Sequence, residues 1–82
     1  MGKKIIHIQY YAILREQRGL NQETLETSVH TAVQLFEELK AKYHFQLPIA
    51  LIKVAINNEF AAWNTEVKSG DSVAFIPPVA GG

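Results

Sequence analysis

With 82 residues the chain has room for one domain, and at this size about 60–65% of the unfolded surface becomes buried, so the core is modest. Apolar residues make up 48% of it, enough for a globular fold, while eight Lys/Arg against eight Asp/Glu leave no net charge to steer it toward nucleic acid or an anionic membrane. The absence of cysteine excludes disulfides, thiolate metal sites and a thiol nucleophile on this chain.

No apolar run nears the ~20 residues that span a bilayer. Lys3-Lys4 leads straight into an alternating segment instead of the apolar stretch of a signal peptide, and Ile6 stands where a myristoylation motif wants Ser or Thr. A soluble, cytoplasmic protein with no nucleic-acid or membrane partner is expected. From Ile5 to Tyr11 the pattern is that of a strand. Ile6, Ile8 and Tyr10 are assigned to the core, and Ile5, His7, Gln9 and Tyr11 to the other face. Arg15 to Gly19 is expected to be a polar loop. Glu23 to Val29 is a second strand, with Leu25, Thr27 and Val29 on one face.

Thr31 opens the main helix, with Gln34 three residues on completing a capping box. Ala32, Leu35, Phe36, Leu39 and Tyr43 form its apolar stripe, and Glu38 and Lys42 have the favoured i,i+4 order for an ion pair. Pro48 punctuates the loop that follows. Ile52, Val54 and Ile56 alternate with Lys53 and Ala55 as a strand. Asn57-Asn58 suits a type I′ turn, since Asn tolerates positive φ, and Glu59 to Ala62 returns with Phe60 opposite Ala55. Trp63 to Lys68 is irregular and Ser69-Gly70-Asp71 turns into the last strand. There Val73 and Phe75 face one way and Ala74 and Ile76 the other, both apolar, as a central strand requires.

One helix covers one face of such a sheet. Placing the first and last strands parallel and adjacent, with a right-handed crossover, gives an α+β fold of the β-grasp type: a mixed sheet with the helix on one face and an extended C-terminal tail. Residues 1–78 are expected to be the domain and 79–82 a flexible tail.

The chemistry-bearing motifs are few. There is no serine elbow, no phosphate loop and no His pair at helical metal spacing, so no metal site is expected. His7, His30 and His44 are far apart and are expected to face solvent or cap elements. Asp71, after Gly70, belongs to a tight turn. The end of the chain stands out. Pro77-Pro78 cannot donate ladder hydrogen bonds, so the strand stops there and the backbone leaves extended. Val79, Ala80, Gly81 and Gly82 follow. Two terminal glycines arise by chance in about 0.5% of chains, at roughly 7% Gly per position. Such a tail can thread a narrow channel and deliver a terminal carboxylate to another protein's active site.

Three segments together resemble the MoaD family, the sulfur-carrying small subunits of molybdopterin synthase. They are Tyr10-Tyr11-Ala12-Ile13-Leu14-Arg15-Glu16, Val54-Ala55-Ile56-Asn57-Asn58-Glu59-Phe60, and Gly70-Asp71-Ser72-Val73-Ala74-Phe75-Ile76-Pro77-Pro78-Val79-Ala80-Gly81-Gly82. The last is the most specific. Ala32 departs from the family, which often has a β-branched residue there. The resemblance implies a ubiquitin-like sulfur carrier that is not catalytic alone and binds no cofactor. An adenylating enzyme similar to ubiquitin-activating enzymes would use ATP and magnesium to activate the Gly82 carboxylate. Gly82 would become a thiocarboxylate, and the tail, Pro77 to Gly81, would thread into a separate large subunit. There the sulfur would pass to cyclic pyranopterin monophosphate to build the molybdopterin dithiolene. Tyr11, Phe60 and Ile76, which strand parity puts opposite the helix, are expected to form the partner interface of a hetero-oligomer. A thiazole-type (ThiS-like) sulfur carrier and a ubiquitin-like protein modifier begin with the same adenylate and are the rival readings.

Overall fold

The computed structural model describes residues 2–78. The alternation at the start becomes β1 (Lys4–Tyr10), with Ile6, Ile8 and Tyr10 buried and Ile5, His7 and Gln9 exposed. Tyr11 lies just past the strand. Its backbone stays extended, at φ −128° and ψ 151°, so it keeps the orientation that parity assigns. Ala12 then adopts a positive φ of 52°, which turns the chain sharply away.

The expected loop at Arg15 to Gly19 is instead mostly helix: α1 spans Ala12–Arg18 and ends on Gly19, whose φ of 83° suits the left-handed cap. Leu14 is its one buried side chain, so α1 carries no apolar periodicity. β2 (Gln22–Thr27) pairs antiparallel with β1 and stops two residues short of the expected end. The Thr27 hydroxyl accepts the Val29 N–H at 3.3 Å and bends the chain out of the ladder.

Helix α2 (Ala32–Tyr43) starts on the expected capping box at Thr31 and Gln34. Its first N–H groups are satisfied by neighbouring backbone: Ala32 N donates to Thr65 O at 3.0 Å and Val33 N to Trp63 O at 2.9 Å. Of the stripe, Ala32, Leu35, Phe36 and Leu39 are buried and Tyr43 is half-buried. Glu38 does not pair with Lys42. Its carboxylate accepts the Thr27 hydroxyl at 3.0 Å, which ties α2 to the end of β2.

After a 3-10 turn at Ile49–Leu51 come β3 (Lys53–Ile56), β4 (Glu59–Ala61) and β5 (Ser72–Ile76). Asn57 and Asn58 have φ of 53° and 72°, as a type I′ turn requires, and Ala55 lies opposite Phe60. The sheet order is β2-β1-β5-β3-β4. The first and last strands run parallel, and β5 is central. This is the β-grasp, with two helices instead of one.

Phe36 anchors the core, with its ring 5.1 Å from Phe75, 5.6 Å from Trp63 and 6.0 Å from Phe45. Asp71 is more than a turn residue. Its carboxylate accepts the Lys68 N–H at 2.7 Å and the Asn57 side-chain amide at 3.0 Å, while Asn57 in turn accepts the Ser72 N–H. The entry to β5 is thereby fixed to the β3–β4 hairpin. His7 and His30 are exposed, and His44 caps α2 at φ 60°. Among the described residues no helix is long and apolar enough to cross a membrane.

Candidate functional site

The helices cover one face of the sheet and leave the other open. The register lays that open face out in rows. Thr24, His7, Ser72 and Asn57 form a polar row across β2, β1, β5 and the β3 end. The next row is Gln22, Gln9, Ala74, Ala55 and Phe60. The row beyond holds Tyr11, Ile76 and Lys53, at the end of β5 from which Pro77 and Pro78 lead out. The face therefore changes from polar to apolar toward the point where the chain leaves the sheet. Tyr11, Phe60 and Ile76 line one concavity of about 640 Å³. Phe60 is 71% exposed, the most exposed large apolar side chain among the described residues. Pro77 is buried and Pro78 exposed. Val79, Ala80, Gly81 and Gly82 lie outside the described residues.

The end of the sheet that presents Tyr11 is locked from behind. The Tyr10 hydroxyl donates to the Glu23 carboxylate at 2.6 Å, and Arg18 donates to both Glu23 oxygens at 2.9 Å. The Arg18 guanidinium also sits 3.9 Å over the Tyr43 ring. One carboxylate thus ties β1, β2 and α1 together, and Arg18 carries the tie on to α2. The Arg18 hydrogen bonds hold the Glu23 carboxyl below its usual range, with burial opposing and Tyr10 assisting. Burial, then Glu23, pushes the Tyr10 phenol up. The sequence marks Tyr10 and Tyr43 as core residues only, and nothing in it joins them to Glu23 and Arg18. The usable signals were Gly19 and the last-turn arginine before it, which together mark a helix end.

A prediction follows from the sign of the Glu23 shift. A depressed folded-state value means stability that is fully present above the unfolded value of about 4.3 and is lost as the pH falls through the folded one. Glu23→Gln should cost about 1.5–3 kcal/mol at neutral pH, the range for hydrogen bonds to a charged group. The gap to wild type should narrow below about pH 4.3. Urea unfolding at several pH values checks this, and a gap that stays constant into acid would contradict it.

A family model described as the ThiS family matches residues 8–82. The molybdopterin synthase sulfur carrier subunit of Haemophilus influenzae is 33% identical over 81 residues, covering 95% of this chain and 100% of the relative. The solved structure of the putative molybdopterin converting factor subunit 1 from Pyrococcus furiosus superposes with a TM-score of 0.75 at 26% identity, covering 93% of this chain and 99% of that one. The complex of subunits 1 and 2 of the molybdopterin-converting factor from Helicobacter pylori contains a chain of the same fold, with a TM-score of 0.64 at 22% identity, covering 95% of this chain and 99% of that one.

Proposed function

The chain belongs to the ThiS family and is homologous along its length to molybdopterin synthase sulfur carrier subunits, and from that premise we propose that it is the sulfur-donating subunit of a molybdopterin synthase. The observation that carries this reading is the concentration of apolar side chains, Tyr11, Ile76 and Phe60, in the rows next to the exit of the tail. A partner docked on those rows receives the tail directly. Monomeric proteins rarely leave large contiguous apolar patches uncovered, and the related subunit from Helicobacter pylori is known in complex with a second subunit. The large subunit of the synthase is the proposed occupant.

The chemistry is proposed to run through Gly82. A terminal carboxyl has a pKa of about 3.3–3.7, so it is anionic at neutral pH. Its oxygen attacks the α-phosphorus of ATP on an adenylating partner that supplies magnesium, and pyrophosphate leaves. Sulfide supplied by the donor then displaces AMP from the acyl carbon and loses its proton, giving the thiocarboxylate. In the large subunit the sulfur is transferred to cyclic pyranopterin monophosphate, and hydrolysis returns the carboxylate. Gly81 and Gly82 leave the acyl carbon unhindered, and the stem proposed to thread the channel is Pro78, Val79 and Ala80, because Pro77, expected in the stem, is buried in the domain and anchors it instead. The acid and base groups belong to the partners, and this chain alone is not a catalyst. Because its first step consumes ATP, the cycle is proposed to run in the cytoplasm.

A coupled reaction tests the proposal. The chain, the adenylating enzyme, ATP, magnesium, a sulfur donor, the large subunit and cyclic pyranopterin monophosphate should together yield the dithiolene, and leaving out this chain or ATP should abolish it. Equal product without this chain would contradict the assignment.

A further inference from the structure

Two charges with no partner among the described residues stand at opposite corners of the open face. Lys53 sits beside Ile76 in the row nearest the tail exit, and Glu26 sits beside Ile5 at the far end of β2. Both are exposed, and neither takes part in the one salt bridge among the described residues, Arg18–Glu23. The positions between them on this face carry no Lys, Arg, Asp or Glu. Three strand spacings across and six residues along put them about 25 Å apart, at ~4.8 Å per strand and ~3.3 Å per residue.

We infer that this Lys53–Glu26 diagonal sets the orientation in which the large subunit docks. The partner surface then has a carboxylate facing Lys53, an apolar patch beside it against Tyr11, Ile76 and Phe60, and a cation facing Glu26 at the polar end. The inference rests on the sulfur-carrier reading and adds to it which way round the partner sits. Apolar burial by Tyr11, Ile76 and Phe60 is non-directional, so it does not by itself choose between an orientation that admits the tail and one rotated by half a turn about the patch. The diagonal does choose, because that rotation carries the partner's cation away from Glu26. The separation exceeds the Debye length of about 8 Å at physiological salt, so each charge must meet its own local counterpart. Lys53 is the more telling of the two, since it flanks the strand end from which the tail departs.

The experiment measures association rates of the intact chain with the large subunit, using Lys53→Glu, Glu26→Lys and the double exchange. Because both side chains are exposed and outside the Arg18–Glu23 salt bridge, melting temperatures should stay at the wild-type value. Each single exchange should slow association roughly tenfold at low salt, and the effect should shrink at high salt. The double exchange keeps the net charge but inverts the diagonal, so it should associate at least as slowly as the slower single variant. Wild-type association by the double exchange would show that only net charge matters and would overturn the inference, as would singles that behave like wild type. Failure of the unmodified chain to bind the large subunit is a different result, and it overturns the molybdopterin synthase reading together with the inference built on it.

Discussion

Removing Gly82 is expected to leave the fold unchanged and to reduce sulfur transfer to background. The core cluster ends at Phe75 and the last strand at Ile76, six residues before Gly82. A change six residues beyond the last strand is expected to cost less than about 0.5 kcal/mol. For a domain of this size that moves the melting temperature by no more than about 2–4 °C. The chemistry, by contrast, has no substitute. The shortened chain would present the Gly81 carboxylate one residue, about 3.3 Å, short of its position, and misplacement by about 1 Å already costs on the order of 100-fold. Thermal unfolding and the coupled dithiolene reaction are measured on the same preparation. Retained activity would remove Gly82 from the mechanism.

Phe60→Asp is expected to weaken binding of the large subunit by roughly 30- to 1,000-fold, the 2–4 kcal/mol of an aromatic anchor at the centre of an interface. Folding should hardly notice. Phe60 is 71% exposed and sits in a three-residue edge strand after the Asn57-Asn58 turn, outside the core cluster. Ile76→Asp should weaken binding too, but Ile76 is half-buried on the central strand, so part of its effect will be lost stability. Comparing the two variants by titration calorimetry and thermal unfolding separates docking from folding. Unimpaired complex formation by both would contradict the proposed interface.

The parts of the fold that were legible are those where one physical pattern dominates. Alternation in Ile6, Ile8 and Tyr10, the Thr31–Gln34 capping box and the paired asparagines each point to one local structure, and each is realised. Once one main helix has to cover a sheet of short strands, the parallel pairing of β1 with β5 follows from connection handedness. Helix α1 was not legible because Leu14 alone is buried and the Tyr11 side chain makes no capping bond. The expected second strand ran too far because the alternation of Leu25, Thr27 and Val29 hides the hydroxyl that ends the ladder at Thr27.

Around the open face the same distinction holds. Tyr11, Phe60 and Ile76 were placed by parity alone, and Tyr11 keeps its place although the strand ends before it. The Tyr10–Glu23–Arg18 lock is invisible in the sequence, since it joins a strand residue counted as core to a carboxylate across a turn and a cation on the unforeseen helix. The position of Lys53 beside Ile76 depends on the β3–β5 register, which no local pattern fixes.

The most direct test is the intact mass of the chain after incubation with its adenylating enzyme, ATP, magnesium and a sulfur donor. The account predicts a gain of one oxygen-to-sulfur exchange, located at Gly82 by fragmentation and absent without ATP, because a free carboxylate offers sulfur no leaving group. The chain has no cysteine to form a persulfide, and fragmentation separates the exchange from oxidation of the lone Met1. An unchanged mass under complete conditions, with an enzyme shown to be active, would contradict the sulfur-carrier claim, and Gly82 joined to lysines of other proteins would replace it with a protein modifier.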